Sequence, residues 1–177
     1  MIELILCSRS DIQYQEIRNR HYVSNNGTIG RQLHYKIKYD GELVGIITGA
    51  SAVWACKPRD DYFGITKENR QNTINKIICN TVFRLENNVK NLGSQILSKW
   101  RKQVIKDWTE RYREPPIGYE TFIFGENRFG ALYKADNWNY CGDTKGSAKC
   151  KPHGAYNKGE RKITEIKMCF CKKLKGA

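Results

Sequence analysis

The chain has 177 residues, and its 31 lysine and arginine residues outnumber its 18 aspartate and glutamate residues, which gives a formal net charge of +13. This length suits one domain with a core that needs no disulfide or metal, so we predict a single domain over residues 1–177. The sequence shows no apolar run of about 18 residues and no signal-peptide pattern. We therefore expect a cytoplasmic protein with no membrane partner.

The positive charge is the strongest single indication of function. A surface this basic attracts polyanions because binding releases their counterions, so nucleic acid is the predicted class of partner. An acidic membrane surface would respond to the same charge. A charge that serves solubility alone is the plain alternative.

The seven cysteines predict reduced thiols, since their number is odd and no signal peptide precedes them. The nearest approach to a zinc signature is Cys150-Lys-Pro-His153, with Cys141 nine residues before Cys150. This set lacks a good fourth ligand, so a structural zinc site is not the favoured interpretation.

The start of the chain is predicted to form a strand and then a helix. Ile2 to Cys7 is an apolar strand candidate, and Ser8 with Asp11 forms a capping box for the helix. His21 and Tyr22 follow that helix at the mouth of a polar loop, where a titratable ring and a phenol could act on a ligand. The alternative is that His21 caps the helix and Tyr22 packs on the core.

An antiparallel hairpin is predicted next. Asp40-Gly41 is a strong turn signal between two alternating runs, Leu33 to Tyr39 and Leu43 to Ala52. Gly45 and Gly49 in the second run indicate a bulge, or the close approach of another backbone or a ligand.

The middle of the chain combines a surface segment with a buried strand. Cys56 to Asn72 is polar and is predicted to cross the surface, with helical residues near Glu68 to Asn75. Ile77 to Leu85 is apolar and β-branched, and we predict that it is the central strand of the sheet.

A long helix is predicted from about Leu92 to Tyr112. Its apolar residues recur every four positions, and two further residues widen the stripe: Leu92, Ile96, Trp100, Val104 and Trp108, with Leu97 and Ile105. Its opposite face is basic, and such a face is usually just solvated. The asparagine-rich turn and Gly93 at its start expose backbone N–H groups that suit an anion or pyrophosphate, although an ordinary capped helix is the alternative.

The stretch from Glu120 to Thr144 is predicted to form a strand, a short helix and a second strand. Thr121 to Phe124 is the first strand, Ala131 to Ala135 is the helix, and alternation from Trp138 marks the second strand. Tyr133 lies in the short helix beside the end of the first strand. So small a unit cannot bury its own aromatic residues, and it therefore belongs to a larger sheet.

Residues 145–162 are predicted to form a basic, glycine-rich loop. The residues assigned to DNA contact are mostly in it: Lys145, Lys149, Lys151, Tyr156, Lys158, Arg161 and Lys162, together with Trp138. Flexible basic loops with an aromatic ring can hold phosphates and stack a base. A disordered solubilising loop is the alternative. A strand from Ile163 to Leu174 is predicted to close the chain.

Together these elements predict an α/β (α+β) domain with a mixed, mainly antiparallel sheet flanked by helices. Their order resembles the acetyltransferase-like fold called GNAT, in which the helix after the central strand binds the pyrophosphate of acyl-coenzyme A. The corresponding pieces are Asn88 to Ser94 and the short-helix segment Gly130 to Trp138. The first piece departs from the usual Q/R-x-x-G-x-G/A signature, since only Gly93 with Lys90 fits it. The resemblance implies an acyl-coenzyme A type of donor held by Lys90, Asn91, Gly93 and Ser94.

A more specific resemblance is to the Mom family of phage DNA-modification proteins and to the related domain of the Druantia defence protein DruA. It rests on His21-Tyr22, Asn91 to Ser94, the block Tyr133 to Gly142 and, for DruA, Glu120-Thr121-Phe122. For Mom-like proteins it implies an enzyme that converts adenine in DNA to an N6-carbamoylmethyl derivative and so protects phage DNA from restriction. The implied catalytic residues are His21, Tyr22, Ser94 and Tyr133. The resemblance also implies an iron requirement, with His21 and Tyr22 as the obvious local ligands.

The residue types are compatible with that chemistry. The exocyclic amine of adenine is a poor nucleophile, so a base must take its proton, and a histidine with a pKa of about 6.5 suits this task. A tyrosine could orient the amine while Ser94 binds the donor. Adenine must also leave the duplex, and Trp54, Trp138 or Tyr156 could stack on it.

The leading prediction is therefore a DNA base-modifying transferase that acts on double-stranded DNA in the cytoplasm of a bacterial host. The donor, the added group, the metal requirement and a homodimeric state stay open. One alternative is a non-catalytic DNA-binding module of defence or counter-defence. The other is an acetyl-coenzyme A dependent N-acetyltransferase that acts on RNA or protein.

Overall fold

The computed structural model describes residues 1–23, 30–124, 129–149, 161–163 and 165–174, with backbone only at 147–149 and 161–163. The strands are β1 (Ile2–Cys7), β2 (Gln32–Tyr39), β3 (Glu42–Ser51), β4 (Ile77–Leu85), β5 (Gly118–Ile123), β6 (Asn139–Asp143), β7 (Ser147–Lys149), β8 (Arg161–Ile163) and β9 (Met168–Lys173). The helices are α1 (Ile12–Asn19), α2 (Lys57–Phe63), α3 (Arg70–Ile74), α4 (Leu92–Tyr112) and α5 (Ala131–Ala135).

Seven strands form one sheet in the order β1-β2-β3-β4-β5-β9-β6. Neighbouring strands are antiparallel except for β4 and β5, which are parallel and are joined through the crossover helix α4. The predicted central strand therefore has three strands on each side of it. The predicted fold class, a mixed and mainly antiparallel sheet flanked by helices, is confirmed.

The two faces of the sheet carry different helices. Ile47 packs in the large cluster with Trp100 and Trp108 of α4, whereas its neighbour Ile46 packs with Tyr14 of α1. Successive residues of a strand point to opposite faces, so α4 and α1 cover opposite sides. The predicted stripe of α4 is the part that is buried: Leu92, Ile96, Leu97, Trp100, Val104 and Trp108.

The hairpin between β2 and β3 forms as predicted. Asp40 and Gly41 have φ angles of 49° and 86°, the paired left-handed geometry of a tight two-residue hairpin turn. Gly45 lies so close to the carbonyl oxygen of Arg84 that a Cβ atom would overlap it. The close backbone approach predicted for this glycine is therefore confirmed.

Several local predictions need correction. Asp11, not Ser8, caps α1, because its carboxylate accepts the backbone N–H of Tyr14 at 3.0 Å. The segment assigned to the surface contains α2, whose Arg59 is fully buried. The closing strand is also shorter than predicted, since Ile163 belongs to β8, which pairs with β7 in a separate two-stranded sheet.

The predictions also name five residues that lie outside the described part of the chain: Cys150, Lys151, His153, Tyr156 and Lys158. Within the described ranges, no helix has the length and apolar character needed to cross a bilayer.

Candidate functional site

A cavity opens where the two parallel strands stop pairing. The pairing of β4 with β5 runs from Ile77 opposite Gly118 to Asn80 opposite Thr121, although β4 continues to Leu85. The cavity beyond this point has a volume of about 260 Å³. It is lined by His21, Tyr22, Asn80, Thr81, Phe83, Thr121, Phe122, Ile123, Phe129, Gly130, Ala131, Leu132 and Tyr133.

A β-bulge in the central strand lies at the same place. Thr48 of β3 is opposite Val82, but the next residue, Gly49, is opposite Asn80, so Thr81 is left out of the register. An extra residue of this kind bends a strand and redirects its side chains. The bulge therefore brings Asn80 and Thr81 to the wall of the cavity.

Asn80 is the centre of a buried hydrogen-bond network. Its Nδ2 donates to the carbonyl oxygens of Thr48 at 3.0 Å and Val82 at 3.1 Å. Its Oδ1 accepts the hydroxyl of Tyr133 at 2.6 Å, and its backbone carbonyl accepts the hydroxyl of Thr121 at 2.9 Å. All three of these Asn80 groups are hydrogen-bonded, which a buried polar site requires.

Tyr133 is held in a fixed position by α5 and by aromatic packing. Its ring makes an edge contact with Trp138 at 5.0 Å between centroids and stacks on Phe170 at 6.2 Å. Burial raises the pKa of Tyr133, with the Thr121 hydroxyl opposing the shift. The side chain is therefore a neutral phenol at physiological pH, suited to hydrogen bonding and not to general base catalysis.

His21 and Tyr22 approach the cavity from the segment after α1. The His21 Nδ1 accepts the backbone N–H of Val23 at 3.2 Å, and the His21 and Tyr22 rings are 4.6 Å apart. The ring of Tyr22 is 5.3 Å from that of Phe124. The structure thus brings three of the four predicted catalytic residues, His21, Tyr22 and Tyr133, to one cavity.

Ser94, the fourth, lies in the first turn of α4 and does not line this cavity. Its hydroxyl donates to the backbone carbonyl of Asn91 at 3.0 Å. Gly93 connects this turn to the cavity wall, because a Cβ atom here would come within 3.0 Å of Leu132, a lining residue. The N-terminus of α4 and the cavity are therefore adjacent.

The N-terminus of α4 fits the anionic end of an acyl-coenzyme A type donor. Its first turn contains no acidic residue, and the N–H groups of a first turn lack acceptors within the helix. Lys90 and Asn91 are exposed beside it. These features provide N–H donors and a cation for a pyrophosphate, as the predicted cofactor residues require.

Iron does not fit His21 and Tyr22. These two side chains offer one imidazole and one phenol, and the Nδ1 atom of His21 already accepts a backbone N–H. In the described part of the chain, no group of three or more histidine, cysteine, aspartate or glutamate side chains is arranged to hold a metal ion. We therefore derive no chemistry from iron.

Five of the predicted DNA-contact residues lie in the part of the chain that the structure describes. Lys145 is exposed, and the backbones of Lys149, Arg161 and Lys162 lie in the β7–β8 ladder. Trp138 is only 4% exposed, packs against Tyr133 and donates its Nε1–H to the carboxylate of Asp136. Its burial argues against the stacking role predicted for it and gives it a core role instead.

A second buried network was missed from the sequence. Arg59 of α2 contacts Glu120 of β5 at 2.5 Å and Asp60 at 2.7 Å, and both Arg59 and Glu120 side chains are fully buried. Burial raises the pKa of Glu120 to about 7, and the Arg59 charge opposes this shift. Proline in the first turn of α2 was the one local sign that this segment is helical.

Comparison with solved structures identifies the fold. The chain is similar in structure to the aminoglycoside acetyltransferase AAC(6')-Ib in complex with coenzyme A, with a TM-score of 0.55, 13% identity and coverage of 98% of this chain and 95% of that one. It is also similar to the ribosomal-protein-S18-alanine N-acetyltransferase from Escherichia coli, with a TM-score of 0.51, 10% identity and coverage of 100% and 96%. A GNAT family acetyltransferase from Elizabethkingia anophelis with acetyl-CoA bound gives a TM-score of 0.48, 13% identity and coverage of 98% of both chains. The protein has the GNAT fold.

The family is shown by sequence. The family model described as Druantia protein DruA matches residues 2–168, so the chain belongs to the DruA family. No curated protein matches the sequence. The resemblance to Mom proteins stays a prediction.

Proposed function

We propose that this protein is a transferase that moves an acyl-type group from a coenzyme A thioester to an amine bound in the β4–β5 cavity. The observation that carries the proposal is the Tyr133 hydroxyl, which Asn80 fixes at 2.6 Å in the wall of a cavity between separating parallel strands. This cavity adjoins a helix N-terminus that suits a pyrophosphate. The GNAT fold of the chain supports the same assignment.

The chain's own groups have separate tasks in this proposal. The amides of Gly93 and Ser94, with Lys90, would hold the anionic end of the donor, and the bound donor would supply an activated carbonyl carbon. To take a proton from the attacking amine, His21 would use Nδ1, which would first release the backbone N–H of Val23. Tyr133 would orient the amine as a neutral hydrogen-bonding partner.

The net charge of the protein indicates which kind of acceptor molecule carries the amine. A protein with a formal charge of +13 concentrates polyanions, so an amine carried by nucleic acid is the favoured acceptor. A cavity of about 260 Å³ with His21, Tyr22, Phe83 and Phe129 in its wall can take a planar base. This combination supports the second candidate, N6 modification of adenine in double-stranded DNA of the Mom type, which protects phage DNA from restriction.

The test compares wild type with Tyr133→Phe and with a matched variant, Tyr35→Phe. Both tyrosines are buried and donate one hydrogen bond, but Tyr35 donates to Asp107 at 2.8 Å and does not line the cavity. Purified proteins would be incubated with acetyl-coenzyme A and duplex DNA, transfer RNA or ribosomal protein, and products would be quantified by mass spectrometry. We expect product with wild type and Tyr35→Phe, and a loss of roughly 100-fold or more with Tyr133→Phe.

A parallel measurement identifies the acceptor in cells. Nucleosides from plasmid DNA of cells expressing each protein would be analysed by mass spectrometry for a new adenosine-derived mass. A new mass with wild type, absent with Tyr133→Phe, would support DNA modification and identify the added group. If folded wild-type protein yields no product in either experiment, the transferase proposal fails and the non-catalytic DNA-binding module becomes the better explanation.

A further inference from the structure

The orientation of the Asn80 amide follows from its partners. One end of the amide lies within 3.1 Å of two backbone carbonyl oxygens, those of Thr48 and Val82. Carbonyl oxygens accept hydrogen bonds and never donate them, so the NH₂ group must be at this end. The other end, which faces Tyr133, must therefore be the amide oxygen.

The same logic fixes the proton of Tyr133. The amide oxygen of Asn80 can only accept, so the hydroxyl of Tyr133 must donate its proton to it across the 2.6 Å contact. Thr121 also lies beside the phenol, and it gives its own proton to the Asn80 carbonyl at 2.9 Å. Its proton is therefore not donated to the Tyr133 oxygen, which keeps a lone pair that can accept from a molecule in the cavity.

We propose that Asn80 is a positioning residue that holds the Tyr133 proton away from the cavity, so that Tyr133 accepts a hydrogen bond from an N–H group of the acceptor molecule. The site thereby selects acceptors that offer a proton. This inference rests on the proposed function, and it specifies that the acceptor molecule donates the hydrogen bond and Tyr133 accepts it.

The bulge explains why this position is an asparagine. Thr81 is left out of the register between β3 and β4, and the Asn80 side chain bridges the irregularity by binding Thr48 of one strand and Val82 of the other. The bulge that brings Asn80 to the wall of the cavity thus also fixes the orientation of its amide. An aspartate could still accept from Tyr133, but it could not donate to the two carbonyl groups.

The first arm of the test reads the proton directly and needs no activity. A hydroxyl proton that is buried and bonded to an amide oxygen exchanges slowly with water, so wild type is expected to show a Tyr133 hydroxyl resonance by NMR. The resonance should be missing in Tyr133→Phe and should be lost through fast exchange in Asn80→Ala. Its persistence in folded Asn80→Ala, or its absence from wild type, would overturn the proposal.

The second arm measures whether the cavity prefers a molecule that donates a hydrogen bond, with two probes of the same ring size. Aniline offers N–H groups and N,N-dimethylaniline offers none, and each would be titrated against the free protein by NMR. We expect wild type to bind aniline at least 10-fold more tightly, and we expect this ratio to fall toward one in Asn80→Ala. Equal binding of the two probes by wild type would contradict the proposal.

Tyr35→Phe is the matched control. Tyr35 is buried and its hydroxyl donates to Asp107 at 2.8 Å, but it does not line the cavity. We expect it to keep both the resonance and the probe ratio. A purely structural role of Asn80 would change stability and leave the ratio intact, and failure of the transfer reaction would leave both arms of the test unaffected.

Discussion

Two buried polar networks include adjacent residues of β5, Glu120 and Thr121, and they differ in what they face. Asn80 accepts the hydroxyl groups of both Tyr133 and Thr121 on the side of α5, where the cavity opens. The neighbouring Glu120 points to the opposite face, where α2 covers it with Arg59. The uncharged network has access to a ligand, whereas the charged network is sealed.

The comparison shows that a shifted pKa does not by itself locate a functional site. Burial raises the pKa of Glu120 to about 7, the kind of shift that often marks a catalytic carboxylate. Yet Glu120 binds Arg59 and the backbone N–H of Val53, and it does not line the cavity. Access to a cavity, and not the size of the shift, separates the two networks.

The largest effect that we expect comes from breaking the sealed pair. Arg59→Met leaves Glu120 buried without its cation, and removal of one partner of a buried ion pair costs about 3–5 kcal/mol. Chemical denaturation would measure this loss of unfolding free energy. Arg59→Met combined with Glu120→Met should recover most of the loss, because no unpaired charge remains.

Lys57→Met on the same helix is the control for that variant. Lys57 pairs with Asp61 at 2.7 Å on the surface, with 71% of its side chain exposed. We expect a loss below about 0.5 kcal/mol, since exposed ion pairs contribute little. If Arg59→Met were as mild as Lys57→Met, the buried pair of Arg59 and Glu120 would not have the predicted weight in stability.

A smaller effect should appear in the pH dependence of stability, where two buried groups, His34 and Glu120, act in opposite directions. Burial lowers the pKa of His34 from 6.5 to about 4, and neighbouring arginines add to the shift. Its imidazole contributes stability that is fully present above pH 6.5 and is lost as the pH falls through 4, up to about 3 kcal/mol. Glu120, raised from 4.5 to about 7, contributes stability below pH 4.5 that is lost as the pH rises through 7.

Between these limits the two contributions have opposite slopes, so wild type should show a shallow profile. Glu120→Gln should reveal the His34 slope, with unfolding free energy rising with pH. His34→Asn should reveal the Glu120 slope, with the opposite sign. Urea denaturation at several pH values from 4.5 to 7.5 would measure both, and parallel profiles for the two variants would refute the assignment.

Local patterns were enough to predict much of the fold. A few neighbouring residues determine both the buried stripe of α4, through its four-residue spacing, and the hairpin turn at Asp40-Gly41. The grouping of His21 and Tyr22 with Tyr133 came from the resemblance, and no spacing in the sequence would have indicated it.

The centre of the candidate site could not be predicted in this way. Asn80 lies in the apolar run of β4, and its role depends on a bulge created by pairing with β3. Arg59 and Glu120 are 61 residues apart and meet only when α2 packs on the sheet. Such contacts between distant segments leave no periodic signal, so the sequence predicts the elements better than the networks that join them.

A further expected effect concerns the support of Tyr133. Gly130, at the start of α5, has a φ angle of 69°, and an added Cβ atom would approach the Phe170 ring to 2.5 Å. Gly64 has the same φ angle of 69° with no atom within 4 Å, so Gly64→Ala measures the backbone cost alone, about 1 kcal/mol. Gly130→Ala should lose about 2 kcal/mol more through overpacking against Phe170.

This pair of variants also connects packing to the proposed reaction. Gly130→Ala should shift α5 and weaken the bond between Tyr133 and Asn80, so that the aniline preference decreases in folded protein. Gly64→Ala should leave that preference unchanged, because Gly64 ends α2 and does not line the cavity. If both variants changed the preference equally, global loosening would explain it, and α5 would lose its special role in placing the Tyr133 hydroxyl.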